Sequence, residues 1–297
     1  MKYIVTGGAG FIGNNIVRQL LKQKHTPIVI DSLYRGKIER ISSLDVEFHK
    51  VDIRDFNQLR NILKNADGVF HEAALTDVQE SFTKQKEYHD VNVVGTENIF
   101  RLANEFGFKV VYASSSSIYG NPKTIPINEK NEQSPINPYG QTKLEDEFLA
   151  ERYTKLGVSI IGLRYFNVYG KGQTGSYAGV ITKFINNLKE KKSPVIFGDG
   201  TQIRDFVDVE DVALANISAM QSNVKNGFFN VGTGIATSIQ QLAKIMIALS
   251  GLKLEIQYEK ALAGDVQSSQ ADTSLTESML KWKYSVGLRE GLSKFFI

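Results

Sequence analysis

Tyr139 and Lys143 stand four residues apart in Tyr139-Gly140-Gln141-Thr142-Lys143, a spacing that projects both side chains from one face of a helix. The residues that follow support a helix: Leu144, Phe148 and Leu156 recur at helical spacing, and Gly157 ends the run. An ammonium beside a phenol favours the phenolate, and a phenol whose ordinary pKa of ~10 is lowered in this way can exchange a proton near neutral pH. Alone, the pair reads more readily as a surface Tyr beside a Lys, because structural charge pairs far outnumber catalytic ones. The run Ser114-Ser115-Ser116-Ser117 is ambiguous in the same way. It is a flexible polar loop if isolated. At the end of a buried strand its hydroxyls could bond a substrate oxygen and relay a proton.

The elements around these residues decide between the readings. Residues 2–6 form a short β-branched strand, followed by Gly7-Gly8-Ala9-Gly10-Phe11-Ile12-Gly13 and a helix reaching about Lys24. A second strand runs from Thr26 to Asp31. Strand, glycine turn, helix, strand and carboxylate are the parts of a dinucleotide-binding unit, although the spacing is G-x-x-G-x-x-G rather than the commoner G-x-G-x-x-G. The glycines let the backbone approach a pyrophosphate at the helix N-terminus. Asp31 would accept hydrogen bonds from the adenine-side ribose and repel a 2′-phosphate, which favours NAD over NADP, with Arg35 close by as the opposing cation. The alternation continues with strands at 46–50, 68–71 and 109–114 and helices at 57–64 and about 86–105. It predicts an α/β, Rossmann-type doubly wound parallel sheet. Ligands of such sheets sit beyond the carboxyl ends of the strands, so the glycine turn, Asp31, Asp52, Ala73 and Ser115 should meet in one crevice.

Asn121 to Pro138 reads as loop and the strand at 159–164 as the next buried one. Beyond it come a helix marked by Val180, Phe184 and Leu188, a short strand at Val195-Ile196-Phe197, a helix capped by Asp208 and one capped by Ser238. Strands at 228–231 and 254–258 and two short helices from Asp272 complete the chain. The expected division is 1–166, a nucleotide-binding domain, and 167–297, mainly a smaller substrate-binding α/β lobe, some of whose segments return to the sheet.

Composition sets outer bounds. The 297 residues carry a net charge of +3, with 42% hydrophobic and 23% charged residues, ordinary for a globular chain. Lys and Arg form no long block, which argues against nucleic acid and membrane partners. There is no cysteine, so disulfides, thiolate chemistry and Cys-based zinc sites are excluded. The N-terminus lacks a signal-peptide pattern and no apolar run could span a bilayer. The expectation is a soluble cytoplasmic protein.

With these residues in place the chain resembles the extended short-chain dehydrogenase/reductases, and among them the nucleotide-sugar 4-epimerases. The resemblance covers nearly the whole chain. It rests on the glycine motif, Asp31, Asp52-Ile53, His71-Glu72-Ala73-Ala74, the serine run, Tyr139 with Lys143, Arg164-Tyr165-Phe166-Asn167, Gly198-Asp199-Gly200, Arg204-Asp205-Phe206 and Gly264-Asp265. It implies that Tyr139 is the catalytic base on the sugar 4-hydroxyl, that Lys143 holds the nicotinamide ribose and keeps the Tyr acidic, and that Ser115 bonds the 4-oxygen. It implies NAD as cofactor, held by Gly7, Gly10, Phe11, Ile12, Gly13, Asp31, Asp52, Ile53, Ala73, Ala74, Leu75, Asn92, Ser114, Tyr139, Lys143 and Phe166. No metal is implied. A UDP-sugar would contact Ser115, Ser116, Ser117, Tyr139, Asn167, Val180, Val195, Phe197, Arg204, Asp265 and Ser269.

The same resemblance separates reactions. Related 4,6-dehydratases carry Asp-Glu at the positions of Ser116 and Ser117, and related decarboxylases a Glu at the second. Serines there point to epimerisation of UDP-galactose and UDP-glucose through a 4-keto sugar. Leu262 replaces an Arg that usually contacts the diphosphate, with Lys260 nearby as a substitute. Ser269 occupies a position where a small residue admits N-acetylhexosamines. The competing readings are a UDP-glucuronate 4-epimerase, another nucleotide-sugar dehydratase or reductase, and a catalytically silent NAD-binding sensor or scaffold. Family members often pair through two long helices, which makes the segments at 86–105 and 140–156 candidates for a homodimer interface.

Overall fold

The computed structural model describes residues 1–173, 179–261 and 266–296. The first unit is β1 (Lys2–Thr6), α1 (Phe11–Lys22) and β2 (Thr26–Ile30). Helix α1 forms because Ile16, Val17 and Leu20 line one face, and it stops two residues short of the expected Lys24, where Lys24 turns to φ +60°. Next come β3 (Glu47–His49), α2 (Phe56–Leu63) and β4 (Gly68–His71). After α3 (Val78–Thr83), which the sequence did not announce, the helix expected over 86–105 forms as one unbroken run of α4 (Gln85–His89), a π-helical turn at Asp90–Val94 and α5 (Gly95–Phe106). The π turn adds a residue to the helical ring, a change that apolar periodicity does not register.

Strand β5 (Lys109–Ser115) runs through the first two serines, and a 3₁₀ turn at Ser116–Tyr119 takes the other two. Helix α6 (Pro138–Lys155) carries Tyr139 and Lys143. Its start is set by Asn137, whose side chain accepts the Gly140 N–H at 2.8 Å, with Pro138 in the first turn. Its apolar spacing misleads: Leu144 is buried, but Phe148 is 56% and Leu156 63% exposed. The inward face holds Thr142, Lys143, Asp146 and Glu147 beside Leu144, Ala150 and Tyr153, because ion pairs satisfy the charges there.

The chain continues through β6 (Ile160–Tyr165), β7 (Asn167–Tyr169), α7 (Val180–Lys189), β8 (Val195–Phe197), β9 (Ile203–Arg204), β10 (Phe206–Asp208), α8 (Val209–Gln221), β11 (Asn226–Val231), β12 (Thr237–Ser238), α9 (Ile239–Ser250), β13 (Gln257–Glu259), α10 (Ser274–Leu280) and α11 (Leu288–Ser293). Seven strands form one parallel sheet in the order β11-β6-β5-β4-β1-β2-β3. Helices α1 and α8 cover one face; α2, α5 and α6 cover the other. Order reverses between β1 and β4, the place where such sheets open a crevice. A separate apolar centre joins α7, β8, α9 and α11. The pairs β7–β10, β8–β13 and β9–β12 connect it to the sheet's carboxyl edge.

Candidate active site

The crevice encloses about 1150 Å³ along that edge, room for two ligands of drug size or larger. Its cofactor end is shaped by backbone. Gly7 has φ +67°, and a Cβ there would lie 2.8 Å from Ala73 N. A Cβ on Gly13 would lie 2.3 Å from Gly7 O. Helix α1 begins at Gly10 with no side-chain cap and no acid in its first turn, so its N–H groups face the crevice ready for an anion. Asp31 closes this end: Oδ2 accepts the Ala9 N–H at 3.1 Å and Oδ1 the Leu33 N–H at 2.8 Å. Burial raises its carboxyl, against those two N–H groups and the Arg40 charge. Arg35, the cation that could have favoured a 2′-phosphate, is paired with Glu80. This donor set fits a dinucleotide pyrophosphate and a ribose diol.

Phe11, Ile12, Asp52, Ile53, Ala73, Ala74, Leu75, Ser114 and Phe166 all lie on the crevice wall. Asp52 is chelated by Arg54 at 2.9 and 2.6 Å, which holds its carboxyl low. Asn92 does not reach the wall. It is fully buried on the π turn, where its amide exchanges hydrogen bonds with Leu75 (2.8 and 3.0 Å) and donates to Thr142 Oγ1 at 3.0 Å. It therefore pins the Leu75 loop to α6.

Ser115, Tyr139 and Lys143 all line the crevice, and the Lys143 ammonium lies near the Tyr139 phenol. Ser115 Oγ accepts from Ser117 N at 3.2 Å and from Ser117 Oγ at 2.9 Å, leaving its own proton to point at a ligand. Lys143 is buried, with Nζ 3.0 Å from Asp146 Oδ2. Burial works against its charge, but Asp146, Tyr139 and Glu72 outweigh burial and hold the ammonium's pKa above its usual value. Behind this trio lies a second ion pair. Glu147 receives Ser114 Oγ at 2.6 Å, Arg164 Nε at 2.9 Å and Arg164 Nη2 at 2.7 Å. Arg164 also donates to Tyr119 Oη at 2.7 Å, and that hydroxyl donates to Asn230 at 2.8 Å. The network fixes β5, β6, α6 and β11 relative to one another, and with them the trio.

A sequence profile described as the NAD dependent epimerase/dehydratase family matches residues 3–232. The chain belongs to that family. A UDP-glucose 4-epimerase of Lactobacillus helveticus is 35% identical over 304 residues, spanning 95% of this chain and 92% of its own. A solved UDP-glucose 4-epimerase of Thermotoga maritima, crystallised with UDP-glucose, superposes with a TM-score of 0.96 at 33% identity, covering 100% of this chain and 97% of its own. The UDP-N-acetylglucosamine 4-epimerase of Methanobrevibacter ruminantium, solved with UDP-N-acetylmuramic acid, gives 0.94 at 33% identity, covering 99% and 96%.

At the far end of the crevice this epimerase/dehydratase-family chain places Asn167, Val180, Val195, Phe197, Arg204 and Ser269 on the wall together with Ser116 and Ser117. Arg204 Nη1 donates to Ile203 O at 2.8 Å. Asp205 turns away from it to receive Thr233 N, Thr233 Oγ1, Gly234 N and Ala271 N at 2.6–3.1 Å. Ser269 is buried and its N–H bonds Ile203 O at 3.0 Å. Leu262, Gly264 and Asp265 lie outside the described residues. Sequence reasoning did not single out Glu72, Asp146 or Glu147 as site residues. Acids three and four places after Lys143 look like a solvated helix face, and only their spacing on the Lys143 side of the helix hinted otherwise. No helix among the described residues is long and apolar enough to cross a membrane, and no metal-binding group of acids or histidines occurs among them.

Proposed function

We propose that the protein is an NAD-dependent 4-epimerase of a UDP-hexose, interconverting UDP-galactose and UDP-glucose through a 4-keto sugar. The observation that carries the reading is the trio Ser115, Tyr139 and Lys143 in one crevice with an uncapped, glycine-lined helix N-terminus and Asp31. Residues 1–166 supply the cofactor end, and 167–297 most contacts to the nucleotide sugar. NAD, when bound, supplies a hydride acceptor for sugar C4 and returns the hydride later. Tyr139 removes the O4 proton and restores it after the keto sugar has turned over. Lys143 keeps the phenol acidic and holds the ribose once its ammonium leaves Asp146. Ser115 steadies the 4-oxygen. Phe197 and Val195 cover the uracil, Arg204 and Asn167 the diphosphate. Ser116 and Ser117 are poor acids and bases at neutral pH, which disfavours dehydration. Ser269 is small enough to leave room for an N-acetyl group.

The test is incubation of purified protein with UDP-galactose and no added cofactor, following UDP-glucose. Product is expected, with activity falling by at least ~10²-fold in Tyr139→Phe; full activity in that variant removes Tyr139 from the mechanism. Turnover of UDP-N-acetylglucosamine checks Ser269. The exposed Phe148, Leu156 and Val94 on and beside α6 support a homodimer through α5 and α6, which light scattering would detect.

A further inference from the structure

We propose that Glu72 sets the oxidation preference of a nicotinamide held beside Tyr139: its carboxylate favours the oxidised, cationic ring, and its protonated form releases that preference. This rests on reading the site as NAD-dependent. Glu72 is the first residue after β4, on the crevice wall. Its backbone abuts the glycine turn, since a Cβ on Gly7 would lie 2.9 Å from Glu72 C. The side chain is held: Oε1 accepts the Tyr165 hydroxyl at 3.0 Å, and that hydroxyl receives Asn216 Nδ2 at 2.7 Å. Oε2 is shielded from water and has no hydrogen-bond partner. An unpaired buried carboxylate oxygen is costly and calls for an explanation.

The surroundings supply one. Lys143 faces Glu72 from α6, with Asp146 behind Lys143, and Tyr165 faces it from β6 with Tyr139 on the far side of that hydroxyl. His71, its neighbour on β4, is neutral, because burial pushes its pKa down to about 3. A ring accepting hydride from sugar C4 gains two electrons and a proton's worth of hydrogen and loses its positive charge. A carboxylate in the wall opposes that loss and so favours return of the hydride to the 4-keto sugar. Burial raises the Glu72 carboxyl to about 8, against the Tyr165 hydrogen bond and Lys143, so the charge switches on just above neutrality.

The experiment is a mediator-coupled spectroelectrochemical titration of the holoenzyme, reading bound reduced nicotinamide across pH 6 to 10. In the wild type, the reduced-to-oxidised ratio at fixed potential should fall about tenfold beyond the free cofactor's own pH dependence as pH passes about 8. Glu72→Gln and Glu72→Leu should lack that extra break. Tyr165→Phe, which keeps the carboxyl but removes its hydrogen bond, should move the break to higher pH. No break in the wild type, or the same break in Glu72→Gln, overturns the proposal. Wild-type protein that carries NAD and turns over UDP-galactose without the break leaves the parent reading standing; protein that holds no NAD removes both.

Discussion

Asp146 and Glu147 are adjacent on α6, both are buried, and each faces a cation, yet the two pairs are built differently. Glu147 has three charge-directed hydrogen bonds, and its partner Arg164 has further bonds to Tyr119 and to Glu129 O. Asp146 has Lys143 as its one cation, with Thr96 beside it, and its Oδ1 is unpartnered. Burial pushes the Asp146 carboxyl up to about 7, with Lys143 opposing. The Asp146 pair can thus loosen when Asp146 takes up a proton. The Glu147 pair is held by a guanidinium that keeps its charge and by three donors in fixed geometry. The first arrangement suits a lysine that must change partners during a reaction. The second suits a brace.

The largest expected effect comes from removing the brace. Glu147→Ala leaves Arg164 buried and uncompensated and should cost about 3–5 kcal/mol in urea unfolding. A loss under about 1 kcal/mol would show that the two pairs are equivalent after all. Lys143→Met should reverse the pattern: turnover falls on the order of a hundredfold, while stability changes by less than about 1 kcal/mol because Asp146 takes up a proton. Ser114→Ala removes one of three donors to Glu147 and should cost about 1–2 kcal/mol with turnover largely kept. Ser114 would then belong to the brace; a raised requirement for added NAD would return it to the cofactor site.

Asp146→Asn should have the smallest effect, visible in pH dependence. A carboxyl whose folded pKa is raised from ~3.9 to about 7 holds its proton more tightly in the folded state. Its contribution is present at low pH and fades as pH rises through that window. His71 works in the opposite direction: its folded pKa of about 3 lies below the unfolded ~6.5, so stability rises with pH between the two. In Asp146→Asn, unfolding free energy measured from pH 4 to 7 should therefore lose part of its downward slope. An unchanged slope would mean that Asp146 is not the titrating group.

Much of this site was visible in the residues themselves. The glycine turn, Asp31, Ser115 and the Tyr139–Lys143 spacing are local signals, because each needs only a few neighbouring residues to state its chemistry. The capping of α8 by Asp208 and of α9 by Ser238 is equally local, and both caps form. Hidden were the features that depend on a distant partner. Glu147 meets Arg164 from β6 and Ser114 from β5, so within its own helix only its spacing from Lys143 marks it as inward-facing. Phe148 and Leu156 fit the apolar period yet face out. Asn92 looked like a ligand residue, but the π turn carries it behind the wall.

The far edge of the sheet has a consequence for how the chain is made. Strand β6 is buried along all six residues, and one side of it is covered only when β11 arrives. A ribosome adding about 5–20 residues per second needs several seconds to reach the end of β11 at Val231 after finishing β6 at Tyr165. During that interval the nascent sheet has a bare apolar border open to a neighbouring chain. Slow translation or high expression should therefore show first as aggregation of chains stalled between these two strands.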